Sequence, residues 1–290
     1  SDWDRKSAYI EINADSFLPQ FKEFSKDIRE IYFAGGEPLI SDHHYDILAW
    51  LIETQQPVNI FYNTNFSELT YKKYDLIDMW SKVNGKVDVF ASVDGFGEWG
   101  EVIRYGFNQK QFEDNVKKVY GSKMSNVHLH FSITHGITNY RKVVDTTEWL
   151  MNLIPENIVT PEVGYNPIVI SQEFSELFLN VDQRKRAKDI VTSQIEEFKR
   201  KYTTHRGKLY AARLENDFLK WITQLDSSAY PDEGKRRYIA RRWAHMNATD
   251  EFRGIDWKKS LPDMVNDYIE IWKDLDARGI ELDFTTWKPE

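Results

Sequence analysis

Along the first 170 residues, apolar side chains fall at helical and strand spacings in alternation. In residues 15–29, Phe17, Phe21, Phe24 and Ile28 stand at helical intervals. Glu30 to Phe33 then predict a short apolar strand that stops at Ala34-Gly35-Gly36. After Pro38, residues 42–55 predict an amphipathic helix with Ser41 or Asp42 as N-cap, and Pro57 precedes a second strand, VNIFYNTN. Residues 67–82 predict a helix, 86–94 a third strand, 110–120 a helix and 126–135 a fourth strand of period two. Residues 140–153 predict another helix and 160–170 a fifth strand. Helices that alternate with strands through short loops predict an α/β fold with parallel pairing and right-handed crossovers, in a barrel or a doubly wound sheet.

From about residue 172 the pattern changes to long charged, amphipathic helices such as 182–202 and 206–225, with no strand until IELDF near the end. PDEGKRRY at 231–238 reads as an exposed connection. The expected organisation is an α/β region over residues 1–170 and a helical C-terminal region over 171–290, without internal repeats.

Composition narrows the function classes. The 290 residues suffice for a sizeable core, and 41% hydrophobic with 29% charged residues is a globular balance. A net charge of -8 argues against a nucleic-acid partner, because such binders concentrate Lys and Arg against the phosphate backbone. No apolar run reaches the roughly 18 residues a membrane helix needs, and the polar start SDWDRKSAYIE lacks a signal peptide's apolar segment. The expectation is a cytoplasmic protein with no membrane partner. The absence of cysteine excludes disulfides, thiolate catalysis, and Cys-ligated zinc or iron–sulfur clusters within these residues.

The strand ends carry the candidate chemistry. Gly35 and Gly36 directly follow a strand, where a backbone without side chains can approach a ligand, and Pro38 restrains Glu37 towards extended geometry. A tight turn without ligand is the alternative. The next strand ends in Thr64-Asn65 and the third in Ser92-Val93-Asp94, so three strands place small polar groups at the edge where parallel α/β folds bind ligands. Each of these is also a common cap or turn residue. Arg104 follows within a short loop; its guanidinium suits a carboxylate ligand, or a salt bridge to Glu98 or Glu101.

Taken in order, IYFAGGEPLI, YNTN, ASVDGFGEWGEVIRYG and Asn115 resemble the radical S-adenosylmethionine (SAM) enzymes, most of all their twitch-domain-containing members. The resemblance covers roughly residues 28–135 and is loose beyond 171. It implies a partial parallel (β/α) barrel of TIM-like type missing its first strand, with an exposed sheet edge. It also implies that the backbone of Gly35, Gly36, Glu37 and Pro38 holds the methionyl amino group of SAM. Thr64 and Asn65 would line the same pocket, Ser92 and Asp94 would meet ribose or carboxylate, and Arg104 would bind a carboxylate.

A family member also needs a CxxxCxxC loop for a [4Fe-4S] cluster, an electron donor, and a substrate, here a peptide or small molecule of unknown identity. The cluster and SAM would together yield a 5′-deoxyadenosyl radical for hydrogen abstraction. The chain begins about 34 residues before GGEP, just after the place of the missing cysteines, so a fragment is the simpler expectation than loss of three ligands. Two alternatives stay open: a cluster-less, non-catalytic SAM-binding or partner-binding relative, and an unrelated barrel enzyme using Glu37 and Asp94 as acid and base.

Other groups carry bland expectations. His128 and His130 share a strand face without a third ligand and are expected to face a polar interior. His43 and His44 open a helix and are expected in solvent. Lys235, Arg236, Arg237, Arg241 and Arg242 with Trp243 are expected to form a solvated face with intrahelical ion pairs.

Overall fold

The computed structural model describes residues 14–158, 162–168, 174–224, 232 and 234–280. Seven strands run in chain order: β1 (Glu30–Phe33), β2 (Asn59–Thr64), β3 (Thr70–Tyr71), β4 (Tyr74–Asp75), β5 (Val87–Ser92), β6 (Val127–His135) and β7 (Val163–Pro167). Five form one mostly parallel sheet in the order β1-β2-β5-β6-β7, and β3 with β4 makes a separate two-stranded hairpin. The α/β class expected from the alternating pattern is therefore the class observed.

Helices α1 (Ala14–Phe24), α2 (Asp42–Thr54), α3 (Leu76–Lys82), α4 (Gly97–Ile103), α5 (Gln109–Gly121) and α6 (Val143–Leu153) connect the strands. The later chain holds α7 (Val181–Lys201), α8 (His205–Arg213), α9 (Lys220–Gln224), α10 (Lys235–Arg253), α11 (Trp257–Ser260) and α12 (Pro262–Ala277). Among the described residues beyond 174, no strand occurs. IELDF runs from Glu281 outside the described residues, as does the start of the chain through Asn13.

The chain divides into two compact units, Ser1–Phe90 with Ser122–Leu129 and Ala91–Gly121 with His130–Glu290. In the first, β1 and β2 pair in parallel with Phe33 opposite Tyr62, so β2 runs on to Thr64 beyond the carboxyl end of β1. Its core is strongly aromatic. Tyr62 and Trp80 are fully buried, Phe33 stacks on Tyr62 at 5.2 Å, and Tyr45 stacks on Tyr71 and Tyr74 at 5.3 and 4.9 Å.

Those last contacts correct one expectation. Residues 67–82 are not one helix: the chain folds into the β3–β4 hairpin, with Lys72 at φ 52°, and only then enters α3. Sequence spacing suited a helix, but the two tyrosine rings are drawn onto Tyr45, and Asp75 caps α3 by accepting from the Asp78 amide at 3.1 Å. Local periodicity lost to tertiary stacking. The helix expected over 15–29 likewise ends at Phe24 and continues as a 3-10 turn, Ser25–Asp27.

In the second unit β6 and β7 pair in parallel with Phe131 opposite Val163. Phe112, Leu150, Ile195, Phe218 and Trp257 contribute to its core. Helix α7 opens with a capping box in which Asn180 and Gln183 satisfy each other's backbone amides at 2.8 and 3.0 Å. Arg141 forks onto Asp267 at 2.6 and 2.9 Å, and Gln183 donates to the same residue's backbone oxygen at 3.0 Å, so one buried carboxylate ties α12 to α7 and to the turn before α6.

Two further expectations change here. The segment 231–238 is no simple exposed connection, because α10 begins at Lys235 and that residue is 3% exposed, paired with Asp232 at 3.1 Å; Pro231 and Glu233 lie outside the described residues. The basic face of α10 is solvated at Arg237 and Arg241 as expected, but its other arginines are tied between elements: Arg236 pairs with Asp276 of α12 and stands 5.2 Å over the Trp272 ring, and Arg242 lies 3.8 Å over Phe174. Trp243 is buried against Trp257. Desolvated cations next to aromatic faces gain more than solvated ones, which is why these Arg side chains turn inward.

Candidate functional site

In the first unit the turn after β1 is built by its glycines. Gly35 and Gly36 have φ of 89° and 56°, and a β-carbon on either would meet none of the described residues within 4 Å, so among them the space beside this backbone is open. Glu37 anchors the turn from below. Its Oε1 accepts from the Leu39 amide at 3.1 Å and from the Thr64 hydroxyl at 2.5 Å, while Oε2 accepts from the Asn65 amide at 2.6 Å. Thr64 Oγ1 in turn accepts from the Phe66 amide at 2.9 Å. Pro38 is buried and opens the 3-10 turn that Glu37 caps. Glu37, Thr64 and Asn65 are thus brought together, through an internal carboxylate bridge rather than as free groups.

Beside this turn lies a cleft of about 320 Å³ lined by Phe17 and Phe21 of α1, Phe33, Gly35, Glu37 and His44. Small-molecule sites of this kind combine apolar walls with few polar groups. His44 is 2% exposed, against the expectation of a solvated helix-opening histidine. Its Nε2 lies 2.8 Å from the Tyr62 hydroxyl, which also accepts from Trp80 Nε1 at 3.3 Å, and its Nδ1 has no partner. Burial holds the imidazolium's pKa down at about 3, so the ring is neutral near pH 7. Its role was not legible in the sequence, because only the packing of α2 against β1 and β2 removes it from water.

In the second unit Ser92 is half-buried at the end of β5. Asp94 accepts from Arg104 Nη2 at 2.8 Å and Nε at 3.2 Å through Oδ2, and from the Thr134 amide at 2.8 Å through Oδ1. Arg104 therefore pairs with Asp94, not with Glu98 or Glu101: residues 97–103 form α4, which places Arg104 at its C-terminal end. Asn139, 2% exposed, donates to the backbone oxygens of Asp94 and Thr134, each at 2.9 Å, and accepts from the Gly136 amide at 2.9 Å. The loop after β5 and the end of β6 are held as one polar network. Gly95 is required by close approach, since a β-carbon there would stand 2.2 Å from the Trp99 ring.

At the carboxyl end of β6, His135 Nδ1 meets Glu176 Oε1 at 2.6 Å, with both side chains essentially inaccessible, and Trp221 Nε1 reaches Glu176 Oε2 at 3.4 Å. Sequence spacing carried no sign of this pair, 41 residues apart. His130, expected to face a polar interior, is half-buried with its Nδ1 2.7 Å from Glu162 Oε2.

The residues present do not fit an iron–sulfur cluster. The chain has no cysteine, and among the described residues no three His, Asp or Glu side chains gather to hold a metal. The fit to SAM is better: an open, glycine-built backbone ledge beside a partly aromatic cleft suits an ammonium and an adenine-bearing ligand. Among the described residues no helix is long and apolar enough to cross a membrane. No protein-family model matches the chain, and no curated protein matches it. The resemblance to radical SAM enzymes therefore rests on the ordered sequence motifs alone.

Proposed function

We propose that this chain is the SAM-binding part of a radical SAM protein of the twitch-domain-containing type, with its parallel sheet forming part of a (β/α) barrel. The observation that carries the reading is the turn after β1: an open Gly35-Gly36 backbone held in place by a Glu37 carboxylate that bridges Thr64 and Asn65. Carbonyls of that ledge would accept from the methionyl ammonium, and Glu37 would act as a positioning residue, because its own oxygens already bind protein donors. Phe17, Phe21 and Phe33 offer apolar contact beside it. Ser92, Asp94 and Arg104 keep the ribose and carboxylate roles that the resemblance implies, with Arg104 held in direction by Asp94.

When bound next to a reducing cluster, SAM supplies a 5′-deoxyadenosyl radical. This chain has no cysteine to hold that cluster, so the radical step is not assigned to it. What the chain contributes is binding and orientation of the cofactor. Substrate (a peptide or small molecule), electron donor and cytoplasmic location belong to the same proposal.

The reading is tested by titrating the 290-residue chain with SAM in a calorimeter. Saturable binding is expected, weakened by Gly36→Val, which forces a β-branched side chain to positive φ, with far-UV circular dichroism checking that the fold survives. Absence of binding to the native chain would sink it.

A further inference from the structure

We propose that the first two turns of α7, together with Ile222 of α9, form a binding site for a phosphoryl group, separate from the residues assigned to SAM. A cleft of about 410 Å³ in the second unit is lined by Val181, Arg184, Lys185, Lys188 and Ile222. The four α7 residues stand at i, i+3, i+4 and i+7, so one helix face supplies three cations to one concavity. Among the described residues no carboxylate lines it. That runs against the chain as a whole, where 46 acidic residues outnumber 38 basic ones.

The lysines of this face differ from Arg186, Lys199 and Lys201 on the same helix. Arg186 pairs with Glu270, Lys199 with Glu196 and Glu215, and Lys201 with Glu148. Lys185 and Lys188 form no ion pair among the described residues, although Asp182 and Asp189 lie on α7 with them. Behind them Arg184 is 4% exposed, and the positive field continues into the protein. Buried Lys235 has a pKa lowered first by burial, with Arg184 and Arg278 adding repulsion. Asp232 is shared between Lys235 at 3.1 Å and Arg278 at 2.6 Å.

A doubly charged anion balances such an excess where a single carboxylate leaves most of it, and guanidinium with ammonium groups is the usual donor set for phosphoryl oxygens. The helix end adds potential of the same sign, but its capping box already occupies the Gln183 amide, so the donors are side chains. Val181, 67% exposed, and Ile222, 2% exposed, give the cleft an apolar border on which the rest of a phosphorylated molecule can rest.

Inorganic phosphate and phenyl phosphate serve as probes, titrated calorimetrically into the native chain at low ionic strength. Saturable binding that weakens with added salt is expected. Lys185→Glu combined with Lys188→Glu, and in parallel Lys185→Gln with Lys188→Gln, should weaken it by roughly tenfold or more, while Lys118→Glu on α5 leaves it intact. All these lysines are exposed, so folding is retained, as circular dichroism would confirm. Tighter binding of phenyl phosphate assigns the site to a phosphorylated organic molecule; equal binding assigns it to the phosphoryl group alone. Failure of both probes to saturate, or equal loss in Lys118→Glu and the double variants, overturns the proposal. SAM titration of the same variants keeps the two sites apart, since their SAM affinity should not change.

Discussion

His44 and Glu37 show how single side chains acquire roles through what surrounds them. Glu37 spends its charge on three protein donors, so its value lies in fixing the ledge above it. His44 is neutral because charging it would leave an imidazolium among aromatic rings, with Phe33 and Tyr45 both within 5 Å of its centre. Its folded pKa of about 3 lies below the ordinary 6.5, so between these values the unfolded chain binds the extra proton. Stability contributed by neutral His44 is therefore complete above pH 6.5 and falls as pH drops towards 3, by up to roughly 1.4 kcal/mol per pH unit. Urea midpoints measured from pH 7 to 4.5 should fall less steeply in His44→Gln than in the native protein; identical slopes would show that His44 is not the group responsible.

Among the elements, strands and long helices were legible because their patterns are strongly periodic: β1, α2, β2, β6 and α7 lie within two residues of their expected ends. The turn at Gly35-Gly36 was legible from its glycines. The β3–β4 hairpin was not, since Tyr71 and Tyr74 take their conformation from Tyr45 on another element. Neither was α4, a seven-residue helix that itself contains Gly97 and Gly100, which carry no helical signal. How α12 is joined to the turn before α6 also lay beyond the sequence, because Arg141 and Asp267 are 126 residues apart. Burial raises the Asp267 carboxyl's pKa, yet it is the Arg141 fork that makes its charge tolerable. Arg141→Met should cost about 3–5 kcal/mol in urea unfolding by stranding a buried carboxylate, and adding Asp267→Asn should recover most of it. A loss below about 1 kcal/mol would mean that water replaces the guanidinium.

At the scale of the molecule, composition makes the sharpest statement. With no cysteine and no three-ligand cluster among the described residues, anaerobic reconstitution with iron and sulfide should leave these 290 residues without the visible absorption of a thiolate-bound cluster. A band that survives desalting would contradict this and point to ligands other than thiolate. The proposed SAM binding is thereby separable from cluster binding: the first is proposed for backbone and cleft, the second needs thiolates this chain lacks.

The sequence by itself determined the α/β class, the glycine turn after the first strand, the acidic balance and the exclusion of thiolate chemistry, because periodicity, glycine content and composition act locally or need no geometry at all. Tertiary structure alone decided that Glu37 binds Thr64 and Asn65, that Arg104 chooses Asp94, that His44 is dry, and that three cations of α7 share one cleft. Those outcomes depend on which side chains meet across distant segments and on how much water remains between them, and neither quantity is written in spacing along the chain.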